Sequence, residues 1–227
     1  TEEFVSDKRV KMVSFTGSSE VGWNLRSKVS RQKISLELGG NAAVIVDETA
    51  DIENAVSKII TGGFGQAGQS CISVQRVFVH KNIYGEFEKT MIEKTGKIKT
   101  GDPFNEDTEV ASMITEGDAV KIEGWIRDAV DGGSSLLAGG KRDKAFLQPT
   151  ILSNTDKRMS VNCKEVFAPL ITLTEFTDFK KAVEEVNDSD FGLQAGVFTK
   201  NIDNAFYAFC NIETGGVIIN NVSTYRM

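Results

Sequence analysis

Asn41-Ala42-Ala43-Val44-Ile45-Val46 is an uninterrupted apolar run, and a second strand-like run follows at residues 74–79. Runs of this kind are typical of strands in the middle of a parallel sheet, where both faces are buried. Between the two, Asp51 is a candidate helix N-cap. Apolar residues follow it at helical spacing: Ile52, Ala55, Val56, Ile59 and Ile60. We expect the helix to end in three glycines: Gly62, Gly63 and Gly65.

The same alternation of strands and helices continues along the chain. Strands are predicted near residues 10–15, 32–38, 136–140, 171–176, 195–199 and 215–220, with an edge-like strand at 146–152 that Pro149 interrupts. Helices are predicted near residues 18–29, 84–91, 115–130, 178–186 and 202–209. We therefore predict an α/β fold, in which a mostly parallel sheet is covered by helices.

Composition narrows the class of protein. The 227 residues carry a net charge of −6 and have no basic cluster, which argues against a nucleic-acid partner. The apolar runs are far shorter than the ~20 residues of a membrane helix, and from the acidic, polar N-terminus we expect no signal peptide. Three widely spaced cysteines fit a reducing, cytoplasmic compartment. The chain starts without Met and stops just after a strand-like run, so we expect a piece of a longer polypeptide.

The sole histidine, His80, limits the chemistry. A Ser-His-Asp triad would have to use it, and a histidine-rich metal site is excluded, so no metal is expected. Because His80 follows an apparent strand end, we expect it on the surface.

Cys71 ends the glycine-rich run Gly65-Gln66-Ala67-Gly68-Gln69-Ser70-Cys71. A thiolate attacks carbonyl carbon well, but a free thiol of pKa about 8.5 needs activation. Amides of the bend at Gly68, Gln69 and Ser70 would stabilise a developing oxyanion. The alternative is a buried, unreactive cysteine. We assign Cys163 and Cys210 to that alternative.

Two further runs offer polar groups in unusual settings. Glu37 lies between leucines and before Gly39-Gly40, where apolar neighbours would raise its pKa into the range of a general base; the alternative is a strand residue that points to solvent. The run Glu165-Val166-Phe167-Ala168-Pro169 would clasp a ribose and a flat ring, and the alternative is an ordinary turn into the next strand.

Taken together and in this order, the runs resemble the aldehyde dehydrogenase superfamily over nearly the whole chain. Glu37-Leu38-Gly39-Gly40 matches its glutamate signature and Gly68-Gln69-Ser70-Cys71 its cysteine signature. Glu165 to Pro169 matches its Glu-(aliphatic)-Phe-Gly-Pro motif, with Ala168 in place of the usual glycine. The remaining matches are Phe15-Thr16-Gly17-Ser18 with Val21-Gly22, Gly101-Asp102-Pro103, Gln148-Pro149-Thr150, and residues 215–220.

The resemblance implies a mechanism and a set of roles. Cys71 would attack the aldehyde, hydride would pass to NAD⁺ or NADP⁺, and Glu37 would activate the water that hydrolyses the thioester. The cofactor would contact Gly17 and Ser18 on its phosphate side, and Leu38 and Phe167 at its nicotinamide; Glu165 would hold the nicotinamide ribose. Residues 1–39 would be the tail of a Rossmann-like NAD(P)-binding domain, and residues 40–227 a truncated catalytic domain.

Family members are much longer, so we expect the 227-residue chain alone to have little or no dehydrogenase activity. The parent protein would be a homodimer or homotetramer. Two other functions remain open: a CoA-acylating aldehyde dehydrogenase, and a non-catalytic oligomerisation or binding piece. The resemblance implies a small aldehyde as substrate, without indicating which one. Residues 69–73 and 225–227 resemble those of superfamily members that oxidise small hydroxy- or anionic aldehydes. In this interpretation Arg226 is a candidate contact for the anionic group of the substrate.

Overall fold

The computed structural model describes residues 2–224. Their contacts form two compact units, and the boundary falls between Gly39 and Gly40. The α/β class predicted from the sequence is confirmed, because helices flank a mostly parallel sheet. Among residues 2–224, no helix has the length and apolar character needed to cross a membrane.

The first unit is a strand–helix–strand arrangement. Its elements are α1 Glu2–Ser6, β1 Met12–Thr16, α2 Ser19–Lys28 and β2 Lys33–Glu37. Strands β1 and β2 pair in parallel, with Thr16 opposite Glu37. Leu25 of α2 is buried, and the Gln32 side-chain amide donates to the Val5 carbonyl at 2.8 Å. The carboxyl ends of both strands therefore lie side by side.

The second unit contains a seven-stranded sheet in the order β11-β10-β3-β4-β9-β8-β5. The strands of this unit, in chain order, are β3 Ala42–Val46, β4 Val74–His80, β5 Ser135–Ala138, β6 Arg142–Asp143, β7 Phe146–Leu147, β8 Thr150–Ser153, β9 Leu170–Phe176, β10 Ala195–Phe198 and β11 Val217–Ile219. Strands β6 and β7 form a separate antiparallel pair outside the seven-stranded sheet. Its helices are α3 Ile52–Phe64, α4 Lys81–Thr95, α5 Glu116–Asp131, α6 Ser160–Cys163, α7 Phe179–Asn187 and α8 Ile202–Asn211. Within the seven-stranded sheet, neighbouring strands run parallel except β5 and β8.

Helices cover both faces of this sheet. Val44 and Val46 of β3 belong to a large core that includes residues of α3, α4 and α5. Ala43 and Ile45 of the same strand belong to a smaller core with α7 and α8. Because successive side chains of a strand point to opposite faces, the two cores lie on opposite sides of the sheet. The expected cap is present, since the Asp51 carboxylate accepts the amide hydrogen of Asn54 at 3.1 Å.

The expected end of α3 in glycines is confirmed for Gly65, which is the C-cap residue, and was wrong for the other two glycines. Gly62 and Gly63 lie inside the helix, which runs to Phe64. A Cβ on Gly63 would stand 2.6 Å from the Ile171 side chain of β9 and 2.9 Å from the Val74 carbonyl oxygen. Position 63 therefore holds a glycine because the helix packs closely on the sheet there, and not because the helix ends.

Two other expectations from the sequence were also wrong. Residues 146–152 form two short strands separated by Pro149, and the second, β8, lies between β9 and β5 rather than at the edge. His80 is buried instead of lying on the surface. Its Nδ1 accepts the amide hydrogen of Asn82 at 3.3 Å, and its ring packs edge-on against Phe176.

Candidate active site

In the first unit, the predicted site residues gather at the carboxyl ends of β1 and β2. The Gly17 amide donates to the Glu37 carbonyl at 3.0 Å. A Cβ on Gly22 would stand 2.3 Å from a methyl carbon of Leu38, so the first turn of α2 packs directly on Leu38. The edge formed by parallel strand ends is where α/β folds bind ligands.

The polar groups on this edge face solvent. The Glu37 side chain is exposed, which agrees with the alternative of a strand residue that points to solvent. Ser18 is exposed, precedes the ten-residue helix α2 and makes no capping hydrogen bond with its side chain. The helix N-terminus therefore keeps unpaired amide hydrogens of the kind that attract anionic groups.

In the second unit, a left-handed turn precedes Cys71. Gln66, Ala67 and Gly68 have φ angles of 54°, 55° and 68°. Each left-handed residue other than glycine costs roughly 1–2 kcal/mol. Glycine is required at 68, since a Cβ there would stand 2.0 Å from the Ala168 carbonyl oxygen. The bend thus brings the cysteine run against the turn that contains Ala168.

The backbone of the bend supplies fewer free amides than the sequence predicted. The Gln69 amide already donates to the Gln66 carbonyl at 3.1 Å, so it is not available to an oxyanion. The Gln69 side-chain oxygen accepts the Ile114 amide hydrogen at 2.9 Å, which ties another loop to the bend.

Exposure of the three thiols also differs from expectation. Cys71 is half-buried, whereas Cys163 and Cys210 are exposed. Our assignment of Cys163 and Cys210 as buried cysteines was therefore wrong. Cys163 lies at the end of the short helix α6, and its Sγ is 3.4 Å from the Arg158 carbonyl oxygen.

Gly40 joins the cysteine run to Glu165. A Cβ on Gly40 would stand 2.3 Å from the Cys71 carbonyl oxygen, so only glycine allows this approach. The Gly40 amide donates to Oε1 of Glu165 at 3.0 Å. The structure thus brings together Gly40, Cys71 and Glu165, which are far apart in the sequence.

Glu165 and Phe167 differ in burial. Partial burial raises the pKa of the Glu165 carboxyl above its ordinary value, while the Gly40 amide and the positive charge of Lys121 oppose that rise. The Phe167 ring is 43% exposed, and its φ is 50°. An exposed ring on a strained backbone is poorly stabilised by its own packing, which is typical of a residue held for a ligand.

Sequence reasoning missed a set of buried side-chain amides behind this loop. Asn41 donates to the Asn162 carbonyl at 3.0 Å and accepts from the Ser189 hydroxyl at 3.0 Å. Gln75 binds the same loop at three points. The available signal was a glutamine inside the apolar run at residues 74–79.

Arg76 anchors the start of β3 from the other face of the sheet. Its guanidinium donates to the carbonyls of Asn41, Glu185 and Val186 at 3.3, 3.2 and 3.1 Å. Burial lowers the pKa of Arg76 to about 10. Arg76 also lines a cavity of about 880 Å³ that none of the predicted site residues borders. We therefore do not assign that cavity to the site.

Residues 2–224 contain no cluster of three or more His, Cys, Asp or Glu side chains suited to hold a metal ion. The candidate anion contact Arg226 lies outside the described residues.

Comparison with known proteins identifies the family. The sequence model of the aldehyde dehydrogenase family matches residues 1–227, so the chain belongs to this family. It is 45% identical over 226 residues to 3-sulfolactaldehyde dehydrogenase of Priestia megaterium, covering 100% of this chain and 47% of that protein. The chain thus spans about half the length of the curated relatives it matches.

Two solved structures have the same fold. One is aldehyde dehydrogenase 21 of Physcomitrella patens with the reaction product succinate: TM-score 0.96, 41% identity, 99% of this chain and 47% of that chain covered. The other is the glyceraldehyde-3-phosphate dehydrogenase GapN of Methanocaldococcus jannaschii in complex with NADP. Its TM-score is 0.96 and its sequence identity 38%, and the match covers 100% of this chain and 49% of that chain.

Proposed function

We propose that the natural protein containing this chain oxidises an aldehyde to a carboxylic acid, with NAD⁺ or NADP⁺ as oxidant. The observation that carries the proposal is the convergence at Gly40, which contacts the Cys71 carbonyl oxygen and the Glu165 carboxylate. Membership of the aldehyde dehydrogenase family supports it.

The roles of the reacting residues follow from their chemistry. The Cys71 sulfur adds to the aldehyde carbon and forms a thiohemiacetal, whose oxygen takes up the proton. Oxidation, in which the carbon loses a hydride and the oxygen loses its proton to solvent, leaves an acyl thioester on the sulfur. Glu37 accepts a proton from water, the water oxygen attacks the thioester, and the C–S bond breaks to release the acid. The departing sulfur takes the proton back from Glu37, which restores the thiol and the carboxylate. The exposed Glu37 carboxylate is accessible to such a water.

The residues present fit a dinucleotide. When bound, it supplies the hydride acceptor. Glu165 is a carboxylate that can accept hydrogen bonds from ribose hydroxyls, and the exposed Phe167 ring offers a flat apolar surface. Gly17 and Ser18 precede the N-terminus of α2, which suits phosphate oxygens, and Leu38 packs behind that turn.

The domain assignment, assembly and compartment belong to the same proposal. Residues 1–39 are taken as the tail of the nucleotide-binding domain and residues 40–227 as most of the catalytic domain, in accord with the division of contacts after Gly39. We propose a homodimer or homotetramer in the cytoplasm, on the basis of the family resemblance and the wide cysteine spacing.

For the substrate we propose a small aldehyde with a second, anionic group. The relatives support this class: one acts on a sulfonated lactaldehyde, one on glyceraldehyde 3-phosphate, and one binds the dianion succinate as product. A panel should compare 3-sulfolactaldehyde, glyceraldehyde 3-phosphate and succinic semialdehyde with uncharged aldehydes of equal length.

The test is aldehyde-dependent formation of NADH or NADPH by the natural protein, followed by absorbance. Cys71→Ser should abolish it. Glu37→Gln should retain a single rapid turnover and lose steady-state turnover, since the thioester forms but is not hydrolysed. Unchanged turnover in Cys71→Ser would refute the proposal. Product formation only with added CoA would point to acyl transfer instead.

A further inference from the structure

The strand that follows Cys71 begins with an irregularity. Ala42 of β3 lies opposite Val74 of β4, but Ala43 lies opposite Arg76, so Gln75 is the extra residue, as in a β-bulge. Bulges turn a side chain away from the regular alternation and are frequent beside active sites.

The amide group of the Gln75 side chain forms three hydrogen bonds, all with the backbone of residues 161–166. The residue is 4% exposed. Its Nε2 donates to the carbonyls of Val161 at 2.9 Å and Lys164 at 2.8 Å, and its Oε1 accepts the Val166 amide hydrogen at 3.0 Å. Both amide hydrogens are therefore paired, and the bonded groups lie on either side of Glu165.

The loop has little regular structure to hold it. Helix α6 ends at Cys163 and β9 begins at Leu170, so neither Glu165 nor Phe167 belongs to a helix or strand. The exposed ring and positive φ of Phe167 favour other conformations of the loop. Something outside the loop must fix it, and Gln75 contacts it on both sides of the carboxylate.

We propose that Gln75 is a positioning residue, which holds the loop so that Glu165 and Phe167 meet the nicotinamide ribose and ring. This rests on the proposed function. Gln75 touches neither substrate nor cofactor. It acts through the backbone at residues 161–166.

The test compares Gln75→Met with the wild-type natural protein. Methionine fills the space but leaves two carbonyls and one amide unpaired. We expect the KM for the nucleotide to rise about tenfold or more, because about 1.4 kcal/mol of lost positioning corresponds to tenfold in affinity. The KM for the aldehyde and the rate of Cys71 alkylation without nucleotide should stay within about twofold.

Val79→Ala is the matched control, because Val79 is a fully buried residue of the same strand and faces the core. It should lower thermal stability without raising the nucleotide KM. Amide hydrogen exchange at residues 160–168 should accelerate in Gln75→Met and not in Val79→Ala. If Gln75→Met does not fold, Gln75→Glu keeps the acceptor for Val166, loses both donors and allows the same comparison.

The outcomes are separable. A wild-type protein that neither binds nucleotide nor oxidises any aldehyde refutes the proposed function, and the role of Gln75 falls with it. An active wild type whose Gln75→Met variant shows unchanged exchange at residues 160–168, or faster exchange with an unchanged nucleotide KM, refutes the positioning role alone.

Discussion

The amide nitrogen of Gly40 lies 3.0 Å from Oε1 of Glu165, although 125 positions separate the two residues in the sequence. The same glycine approaches the Cys71 carbonyl oxygen so closely that a Cβ would stand 2.3 Å from it. Gly40 therefore holds two candidate site residues at fixed places in the second unit. Its missing side chain and its amide hydrogen are both needed.

Gly40→Ala should damage both stability and activity. The added methyl group forces the Cys71 backbone away, and overpacking of this kind costs about 1–3 kcal/mol. We expect a lower melting temperature and a loss of aldehyde-dependent NAD(P)H formation. Gly85→Ala is the control, because nothing lies within 4 Å of a Cβ at this exposed position of α4. It should stabilise the helix by roughly 0.5–1 kcal/mol. Wild-type behaviour of Gly40→Ala would show that the contact with Cys71 is easily relieved.

The left-handed turn before Cys71 predicts different changes in stability for substitutions at two of its positions. Gln66→Gly removes side-chain strain at φ 54°, so it should leave the free energy of unfolding within about 0.5 kcal/mol of wild type despite the greater freedom of the unfolded chain. Gly68→Ala should destabilise by about 2 kcal/mol or more, because its Cβ would meet the Ala168 carbonyl at 2.0 Å. Denaturant unfolding of both variants checks this. Equal effects would mean that the turn relaxes.

What the sequence predicted well was local. The helix α3 was predicted from its apolar spacing and from Asp51, whose carboxylate bonds an amide three residues away. The features that the sequence did not predict depend on contacts with residues far along the chain. A helix end was predicted at Gly63 because the sequence around it does not show the reason for a glycine there. That reason is the close approach of Ile171, which lies far along the chain on β9. The role of Gln75 was not predicted because two of its hydrogen-bond acceptors, the carbonyls of Val161 and Lys164, lie 86 and 89 residues further along the chain.

The candidate site residues were predicted with a different outcome from the burial of single side chains. Cys71 and Glu165 were selected by their residue types and order, and the structure connects them through Gly40. Cys163 and Cys210 were judged by their immediate neighbours alone, and both proved exposed. Burial of a single side chain is set by how whole elements pack, which a short run of sequence does not contain.

The exposed thiols sharpen the alkylation test. Exposure alone predicts that Cys163 and Cys210 react with iodoacetamide before the half-buried Cys71. An activated nucleophile predicts the reverse order. We expect Cys71 to react first in the natural protein, as measured by peptide mass spectrometry at short times. The Cys163→Ser/Cys210→Ser double variant should keep the Cys71 rate, which would show that this rate does not depend on the other two thiols. Slower labelling of Cys71 than of both other thiols would contradict its role as nucleophile.

The raised pKa of Glu165 predicts a pH dependence of cofactor binding. Burial shifts the carboxyl above its ordinary pKa of 4.5, so it takes up a proton at a higher pH than an exposed glutamate does. The ionised form is the better acceptor for ribose hydroxyls. The KM for the nucleotide should therefore be lowest well above the raised pKa and should increase as the pH falls through it. Glu165→Gln should have a higher KM at pH 8 and should lack this inflection.

Lys121 provides the matched control, since its positive charge favours the ionised form of Glu165. Lys121→Met should move the inflection in the nucleotide KM to a higher pH while leaving the KM well above the inflection nearly unchanged. The measurement is the nucleotide KM between pH 5 and 8 for the wild type and both variants, at saturating aldehyde. An inflection that persists in Glu165→Gln would assign the titration to another group. Insensitivity of the inflection to Lys121→Met would mean that Lys121 has no electrostatic influence on the carboxylate in solution.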